Sequence, residues 1–244
     1  MNNTVIIIPS RLGAKRFPNK PLAEINGLPM IVHCLNRAKE SEIGEVIVAT
    51  PDQEIVNVVK KNRGNAILTK FDHASGSDRI YEVYKKNFSD KADLIINLQG
   101  DMPNIDPNAI SKLEEHMRSN NSDIGTLASN LEKNDINNPN VVKVHVEKDM
   151  TASNFLVAKD FFRTNQDLKN KKIYHQIGIY AFTNDALTKY VKLSRSKLEI
   201  KRDLEQMRAM ENNMMIKVGF CDSKPLGVDT KESLEKVTLE MNLS

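Results

Sequence analysis

Hydrophobic positions in the first half of the chain switch repeatedly between a strand-like and a helix-like period. Residues 5–8 are an unbroken apolar run stopped by Pro9, the pattern of a central strand buried on both faces. Between 29 and 40, Ile31, Leu35 and Ala38 share one helical face, with Pro29 near the first turn. The pattern then predicts a strand at 45–49 and a helix at 53–62 with Ile55, Val58 and Val59 turned inward. A short strand at 66–68, a helix at 77–87 capped by Ser77, a strand at 93–97 and a helix at 107–118 complete the half. Strands alternating with helices in this order predict a parallel, doubly wound sheet with right-handed crossovers. Ligands of such sheets sit beyond the carboxyl ends of the strands, so the chemistry is expected in loops 9–20, 51–53, 70–76 and 98–105.

The second half is less regular. Strands are predicted at 123–129 and 141–146, on either side of the polar, Asn-rich stretch 130–140, and residues 147–172 carry no clear pattern. A strand at 176–182, helices at 184–192 and 197–212, a strand at 215–220, a loop at 221–229 and a closing helix at 230–241 follow. With no internal repeat and no Gly/Ser/Pro-rich linker, the expectation is one domain: a core of about 1–130 and 213–244 with a mixed-sheet insertion over about 131–212.

Composition narrows the function classes. The chain has 244 residues, 40% hydrophobic and 27% charged, which is ordinary for a globular protein and excludes disorder or a collagen-like chain. Lys+Arg 35 against Asp+Glu 32 leaves a net charge of +3, too balanced for an electrostatic nucleic-acid binder. The two cysteines, Cys34 and Cys221, are far apart and belong to no C-x-x-C, which excludes a disulfide scaffold or a Cys-based zinc site and fits a reducing compartment. Cys34 reads as a small buried hydrophobe within a helix. No stretch is long and apolar enough for a membrane span, and the N-terminal apolar run lacks the basic flank of a signal peptide, so a cytoplasmic protein without a membrane partner is expected.

Three segments carry candidate chemistry. The loop after the first strand holds Arg11, Lys15, Arg16 and Lys20 within ten residues, with Gly13 to permit a tight path and Pro18 and Pro21 to stiffen the exit. Arginine forks and lysine point charges at a strand's carboxyl end suit a polyphosphate; the competing reading is a solvated basic loop. Neither G-x-x-x-x-G-K-[ST] nor G-x-G-x-x-G occurs, against a P-loop kinase or a dinucleotide dehydrogenase. Asp101, in Gln99-Gly100-Asp101-Met102-Pro103, ends a central strand and is a natural Mg²⁺ ligand, or else part of an Asp-x-Pro turn. Asp229, before the closing helix, is either a second metal ligand or a helix cap. His73 is a crevice residue or a surface one.

Taken together, these motifs resemble those of the 3-deoxy-manno-octulosonate cytidylyltransferases, the CMP-Kdo synthetases of lipopolysaccharide assembly. Ile8-Pro9-Ser10-Arg11 followed by Arg16-Phe17-Pro18-Asn19-Lys20-Pro21-Leu22 is similar to that family's opening segment, and Asn26-Gly27-x-Pro29-Met30-Ile31 continues it. Val48-Ala49-Thr50 fits V-A-T-D, with Pro51 standing before Asp52 or in place of the Asp. Asp72-His73-x-Ser75-Gly76-Ser77-Asp78-Arg79 fits D-H-x-S-G-T-[ED]-R, and Asn97-Leu98-Gln99-Gly100-Asp101-x-Pro103 fits N-x-Q-G-D-x-P. Residues 140–144, Gly178-Ile179-Tyr180, Leu204-Glu205-Gln206-x-Arg208 and Val228-Asp229-Thr230 match further on.

The resemblance implies a Rossmann-related, glycosyltransferase-A-like nucleotidyltransferase that joins CTP to the acidic sugar Kdo, releasing pyrophosphate. It implies Arg11, Arg16 and Lys20 on the phosphates, with Pro9, Ser10, Ser75, Gly76, Arg79, Gln99 and Gly100 around the nucleotide. Asp101 and Asp229 would hold Mg²⁺, and Gln176, Tyr180, Glu205 and Gln206 the sugar. A homodimer is also implied. The departures cluster in the sugar half: Val157 stands at the family's arginine position and Gln176 at its histidine, with His175 one place earlier. Lys159, Arg163 and Lys172 are the nearby cations that could take the sugar carboxylate instead. The rival readings are a cytidylyltransferase for a nonulosonic or amino-substituted ulosonic acid, and a non-catalytic nucleotide-binding homologue.

Overall fold

The first apolar run forms strand β1, Thr4–Pro9, with Val5 to Ile8 at most 1% exposed. That burial on both faces follows from its parallel neighbours. In this computed structural model, which describes residues 3–13, 16–164 and 171–243, the chain gathers into two units, Met1–Ser111 with Pro225–Ser244, and Lys112–Lys224.

In the first unit the chain leaves β1 through the basic loop, turns through a 3-10 segment at Lys20–Leu22, and makes a small hairpin of β2 (Glu24–Ile25) and β3 (Leu28–Pro29). Asn26 and Gly27 both take positive φ, 51° and 79°, the geometry that an Asn-Gly pair tolerates in a two-residue hairpin. Helix α1 (Met30–Glu40) buries Ile31, Leu35 and Ala38, the face that the spacing marked. Strand β4 (Gly44–Thr50), α2 (Gln53–Lys61), β5 (Asn65–Leu68), α3 (Gly76–Asn87) and β6 (Leu94–Leu98) follow, and α4 (Pro107–Ser119) starts in this unit and ends in the second. Ile6 of β1 pairs in parallel with Val46 of β4 and Ile96 of β6, and β5 lies outside β4, so the spatial order is β5-β4-β1-β6. Two details differ from the sequence reading. Val56, not Val58, joins Ile55 and Val59 in the buried face of α2. The cap of α3 is Ser75, whose Oγ accepts from the Asp78 amide at 3.2 Å, while Ser77 is buried inside the first turn.

The second unit is built from β7 (Ile124–Ser129), β8 (Lys143–Val146), β9 (Phe155–Phe162), β10 (Lys172–Thr183) and β11 (Ile216–Phe220). Pairing runs β10-β7-β11-β9-β8, and β8 pairs back onto β10, closing the strands into a ring. Antiparallel pairing dominates, with β7 and β11 the parallel pair. The stretch without a sequence pattern, 147–172, supplies β9 and the start of β10. The expected helix at 197–212 is two: α6 (Lys197–Arg202) and α7 (Gln206–Glu211), after α5 (Asn184–Tyr190). The break is at Asp203, which ends α6 in the left-handed region at φ 53°. Helix α8 (Lys231–Leu243) closes the chain in the first unit. No helix among the described residues is long and apolar enough to cross a membrane.

Candidate active site

The basic loop is held in place by its own backbone. Asn19 takes φ 58°, its amide donates to the Leu12 carbonyl at 3.1 Å, and the Leu12 amide donates to Asp52 Oδ2 at 2.8 Å. Asp52 therefore ties the loop to the start of α2. Lys15 lies outside the described residues. Arg11 is exposed, and its charge reaches Arg79, whose pKa is lowered by burial and then by that neighbouring cation. Arg79 is 3% exposed; its Nη1 donates to Thr69 Oγ1 and, at 2.9 Å, to the Lys70 carbonyl, shaping the loop between β5 and α3. Ser10 is buried at the end of β1, and its Oγ has no hydrogen-bond partner among the described residues. Gln99 Nε2 donates to Asn97 Oδ1 at 3.1 Å.

Gly100 has a steric reason to be glycine. A Cβ there would sit 3.1 Å from the Pro9 carbonyl oxygen and 3.3 Å from Ile31 and Ile8 side-chain carbons. The loop after β6 thus crosses close over the end of β1, bringing Asp101 to the basic loop. The second carboxylate arrives from the other end of the chain. Val228 is fully buried in a cluster with Ile25, Met30 and Val237, with Phe17, Leu226, Leu234 and Met241 packed against it. Its amide donates to the Asp101 carbonyl at 2.9 Å. Asp229 is thus set beside Asp101 through the core residue before it, while its own amide donates to Ser233 Oγ of α8 at 2.9 Å. Thr230 Oγ1 accepts the Ser233 amide at 3.2 Å, so the helix cap is Thr230 and the Asp229 carboxylate is left for other work.

These elements converge on Lys20. Its Nζ lies 2.9 Å from Asp101 Oδ2, 3.4 Å from Asp229 Oδ1 and 2.7 Å from the Val228 carbonyl oxygen. Arg16 Nη2 pairs with Asp229 Oδ2 at 3.1 Å. A cationic group therefore occupies the space between two carboxylates at the carboxyl end of β6. The donor set suits a hard cation that takes one or two carboxylates and completes its shell with phosphates and water. Among the described residues no group of three or more His, Cys, Asp or Glu could hold a metal ion.

Neighbouring groups are structural. Cys34 is fully buried, and burial together with the Asp101 charge pushes its thiol pKa up, so it is no nucleophile. His73 Nε2 contacts Glu82 Oε2 at 2.5 Å. Burial alone would raise the Glu82 pKa, but hydrogen bonds from Lys86, His73 and the Lys70 amide outweigh it and bring it to about 2.

The expected sugar residues lie in the second unit. Strand β10 shifts register between Ile177 and Tyr180, and Thr126 Oγ1 sits 3.2 Å and 2.7 Å from the two carbonyls exposed there, those of Ile177 and Ile179. Gln176 is buried; its Nε2 donates to Thr126 Oγ1 at 3.0 Å and to the Ile177 carbonyl. Burial and the Glu205 charge raise the Tyr180 pKa, and Gln176 and Arg163 oppose them. Glu205 precedes α7, and Gln206 on its first turn is buried with an Nε2 that has no partner among the described residues. Val157 lies on β9, 41% exposed and paired with Lys217. Lys159 is held by Glu147 at 2.6 Å and Lys172 by Asp149 at 2.9 Å. Arg163, one residue past β9, donates to three main-chain carbonyls, those of Pro139, Asn140 and Asp203, at 3.1–3.5 Å. It has no carboxylate partner among the described residues.

Comparisons with known proteins give the family and the fold. The cytidylyltransferase family model matches residues 5–216. A 3-deoxy-manno-octulosonate cytidylyltransferase of Bartonella bacilliformis is 43% identical over 235 residues, 96% of each chain, and one of Brucella ovis is 42% identical over 96% of this chain and 93% of its own. Among solved structures, a CMP:2-keto-3-deoxy-manno-octonic acid synthetase complexed with CTP superposes with a TM-score of 0.88 at 35% identity, covering 99% of both chains. A 4-diphosphocytidyl-2C-methyl-D-erythritol synthase from Anaerococcus prevotii shares the fold alone, at 14% identity and TM-score 0.65 over 99% of both. Matched by the family model over residues 5–216 and by relatives along nearly its full length, the chain belongs to the cytidylyltransferase family, alongside the 3-deoxy-manno-octulosonate cytidylyltransferases.

Proposed function

We propose that the protein joins CTP to 3-deoxy-manno-octulosonate, giving CMP-Kdo and pyrophosphate for lipopolysaccharide synthesis. The observation that carries this reading is the ammonium of Lys20 lodged between Asp101 and Asp229, in a chain over two-fifths identical to enzymes of that name. In it, Arg11, Arg16 and Lys20 grip the triphosphate, the arginines by forked hydrogen bonds and the lysine as a point charge. Pro9, Ser10, Ser75, Gly76, Arg79, Gln99 and Gly100 surround the nucleoside; the buried Ser10 hydroxyl, without a partner among the described residues, is suited to a nucleotide oxygen. Asp101 and Asp229 would hold Mg²⁺, which when bound neutralises phosphate charge and favours the attacking oxyanion.

The anomeric hydroxyl attacks the α-phosphorus in line. The new P–O bond forms as the bond to the bridging oxygen breaks, pyrophosphate leaves with that electron pair, and the hydroxyl proton passes to solvent. The chain's residues supply position and charge, which suffice for a transfer of this kind. Gln176, Tyr180, Glu205 and Gln206 hold the sugar; the buried Gln206 amide donor lacks a partner among the described residues and suits a sugar oxygen. Arg163 takes the sugar carboxylate, supported by its having no carboxylate partner among the described residues while Lys159 and Lys172 are paired. A cytoplasmic homodimer completes the reading and rests on the family resemblance; light scattering tests it.

The direct test is the product. Incubation with CTP, Mg²⁺ and Kdo should give a ³¹P signal of a CMP phosphodiester together with pyrophosphate. Intact CTP under conditions where the protein stays folded would overturn the reading.

A further inference from the structure

Lys20 does more in this structure than wait for a phosphate. An ammonium has three protons, and each has a partner: Asp101 Oδ2 at 2.9 Å, Asp229 Oδ1 at 3.4 Å and the Val228 carbonyl at 2.7 Å. The side chain is only 14% exposed. Its stem is fixed between Asn19, in the left-handed region, and Pro21, while Val228 is locked into the core cluster. Two carboxylates this close repel one another unless a cation lies between them, and here the chain supplies that cation itself. The oxygens that Lys20 engages, Asp101 Oδ2 and Asp229 Oδ1, are among those a divalent metal would need. A metal ion and the ammonium cannot share them without strong repulsion. Mg²⁺ also sheds its water reluctantly, so the bare ion gains little by evicting a satisfied lysine. Triphosphate changes the balance, because it offers the departing ammonium new anionic oxygens and the metal further ligands.

We propose that Lys20 is the internal counter-ion of the Asp101–Asp229 pair, so that divalent metal enters together with the nucleotide and not ahead of it. The inference rests on the preceding reading that these two aspartates hold the metal. It gives Lys20 two states, one on the carboxylates and one on the phosphates, and makes the nucleotide the trigger between them.

The probe is Mn²⁺ titrated into nucleotide-free protein, with free Mn²⁺ read by electron paramagnetic resonance. Lys20→Met keeps the stem and removes the charge; it should bind Mn²⁺ roughly tenfold or more tighter than the unaltered chain, the scale of one charge-assisted contact. Its melting temperature without metal should fall, since the carboxylates lose their cation, and Mn²⁺ should restore it. Lys20→Gln, which keeps a donor for the Val228 carbonyl, serves if methionine loosens the loop. Adding Asp101→Asn to either variant should cancel the gain. Unchanged Mn²⁺ affinity in the folded variants, or a gain that survives Asp101→Asn, would overturn the proposal. Both readouts are independent of turnover: a chain that releases pyrophosphate but shows no gain loses only the counter-ion, and one that shows the gain but makes no CMP-sugar loses only the activity.

Discussion

At the scale of single residues, the two carboxylates make the sharpest comparison. Asp229 stands directly before a helix, where an aspartate is ordinarily a cap, yet the capping contact belongs to Thr230 and the Asp229 carboxylate pairs with Arg16 and Lys20. Asp229→Asn should therefore cut turnover by roughly ten- to a hundredfold, the scale of one or two charge-assisted contacts, and shift the Mg²⁺ dependence upward without lowering stability. Thr230→Ala should do the reverse: a loss of about 1 kcal/mol in unfolding free energy, with the Mg²⁺ dependence unchanged. Pyrophosphate release against Mg²⁺ concentration and urea unfolding of both variants check the pair. Gly100→Ala tests the close crossing over β1: with a backbone oxygen 3.1 Å from the new Cβ, the loop must shift, and turnover should drop more than stability. The identities of these residues were legible because a strand's carboxyl end announces where a ligand sits. What the sequence hid was the support. Val228 is an unremarkable apolar residue in a loop, and only the fold shows that its burial is what sets Asp229 beside Asp101.

At the scale of elements, the parallel βα half was readable from periodicity, since each strand is a short apolar run and each helix shows one buried face. The second unit was harder for physical reasons. Its strands pair with distant partners and its ring closure leaves no simple alternation; β9 lies in a stretch with no clear pattern, so the sequence alone offered Lys159, Arg163 and Lys172 as cations near Val157 without showing which of them has a carboxylate partner. The charged segment 197–212 looked like one helix because its capping break is made by an aspartate in the left-handed region. The packing around that break is a buried ion pair. Arg208 Nε and Nη2 donate to both Glu199 oxygens at 2.8 and 2.7 Å, and the guanidinium stacks 4.8 Å from the centre of the Tyr190 ring, whose hydroxyl donates to the Glu205 carbonyl at 2.9 Å. With both side chains at most 5% exposed, removing one partner strands the other charge. Arg208→Met should cost about 3–5 kcal/mol in denaturant unfolding, and Glu199→Gln should also be destabilising. Because the network ends on Glu205, a milder Arg208→Lys change should raise the KM for Kdo more than that for CTP.

At the scale of the whole molecule, the near-balanced charge predicts little dependence on added salt, whereas a half-buried histidine predicts a dependence on acid. Burial, and then the nearby Lys224 cation, lower the His175 pKa from 6.5 to about 4, with Lys143 acting in the same direction and Asp135 and Glu132 against it. The folded state therefore refuses a proton that the unfolded chain accepts. Stability should be complete above the unfolded value of 6.5 and decline as pH falls toward 4, by about 2 kcal/mol at pH 5 from this group. His116, lowered by burial and by Lys112, adds to the same slope. Denaturant midpoints from pH 7.5 to 4.5 should fall accordingly, and His175→Asn should flatten the curve.

A transfer from CTP to Kdo is read out by steady-state pyrophosphate release with Mg²⁺, comparing CTP with ATP, GTP and UTP and Kdo with other sugar acids. Hydrogen-bonding sites reject the wrong base strongly because buried polar groups are left unpaired. Fast release is expected with CTP and Kdo, at most trace release with the other nucleotides, and a raised Kdo KM in Arg163→Ala. No release with CTP and Kdo, or equal turnover of ATP or GTP, would contradict it.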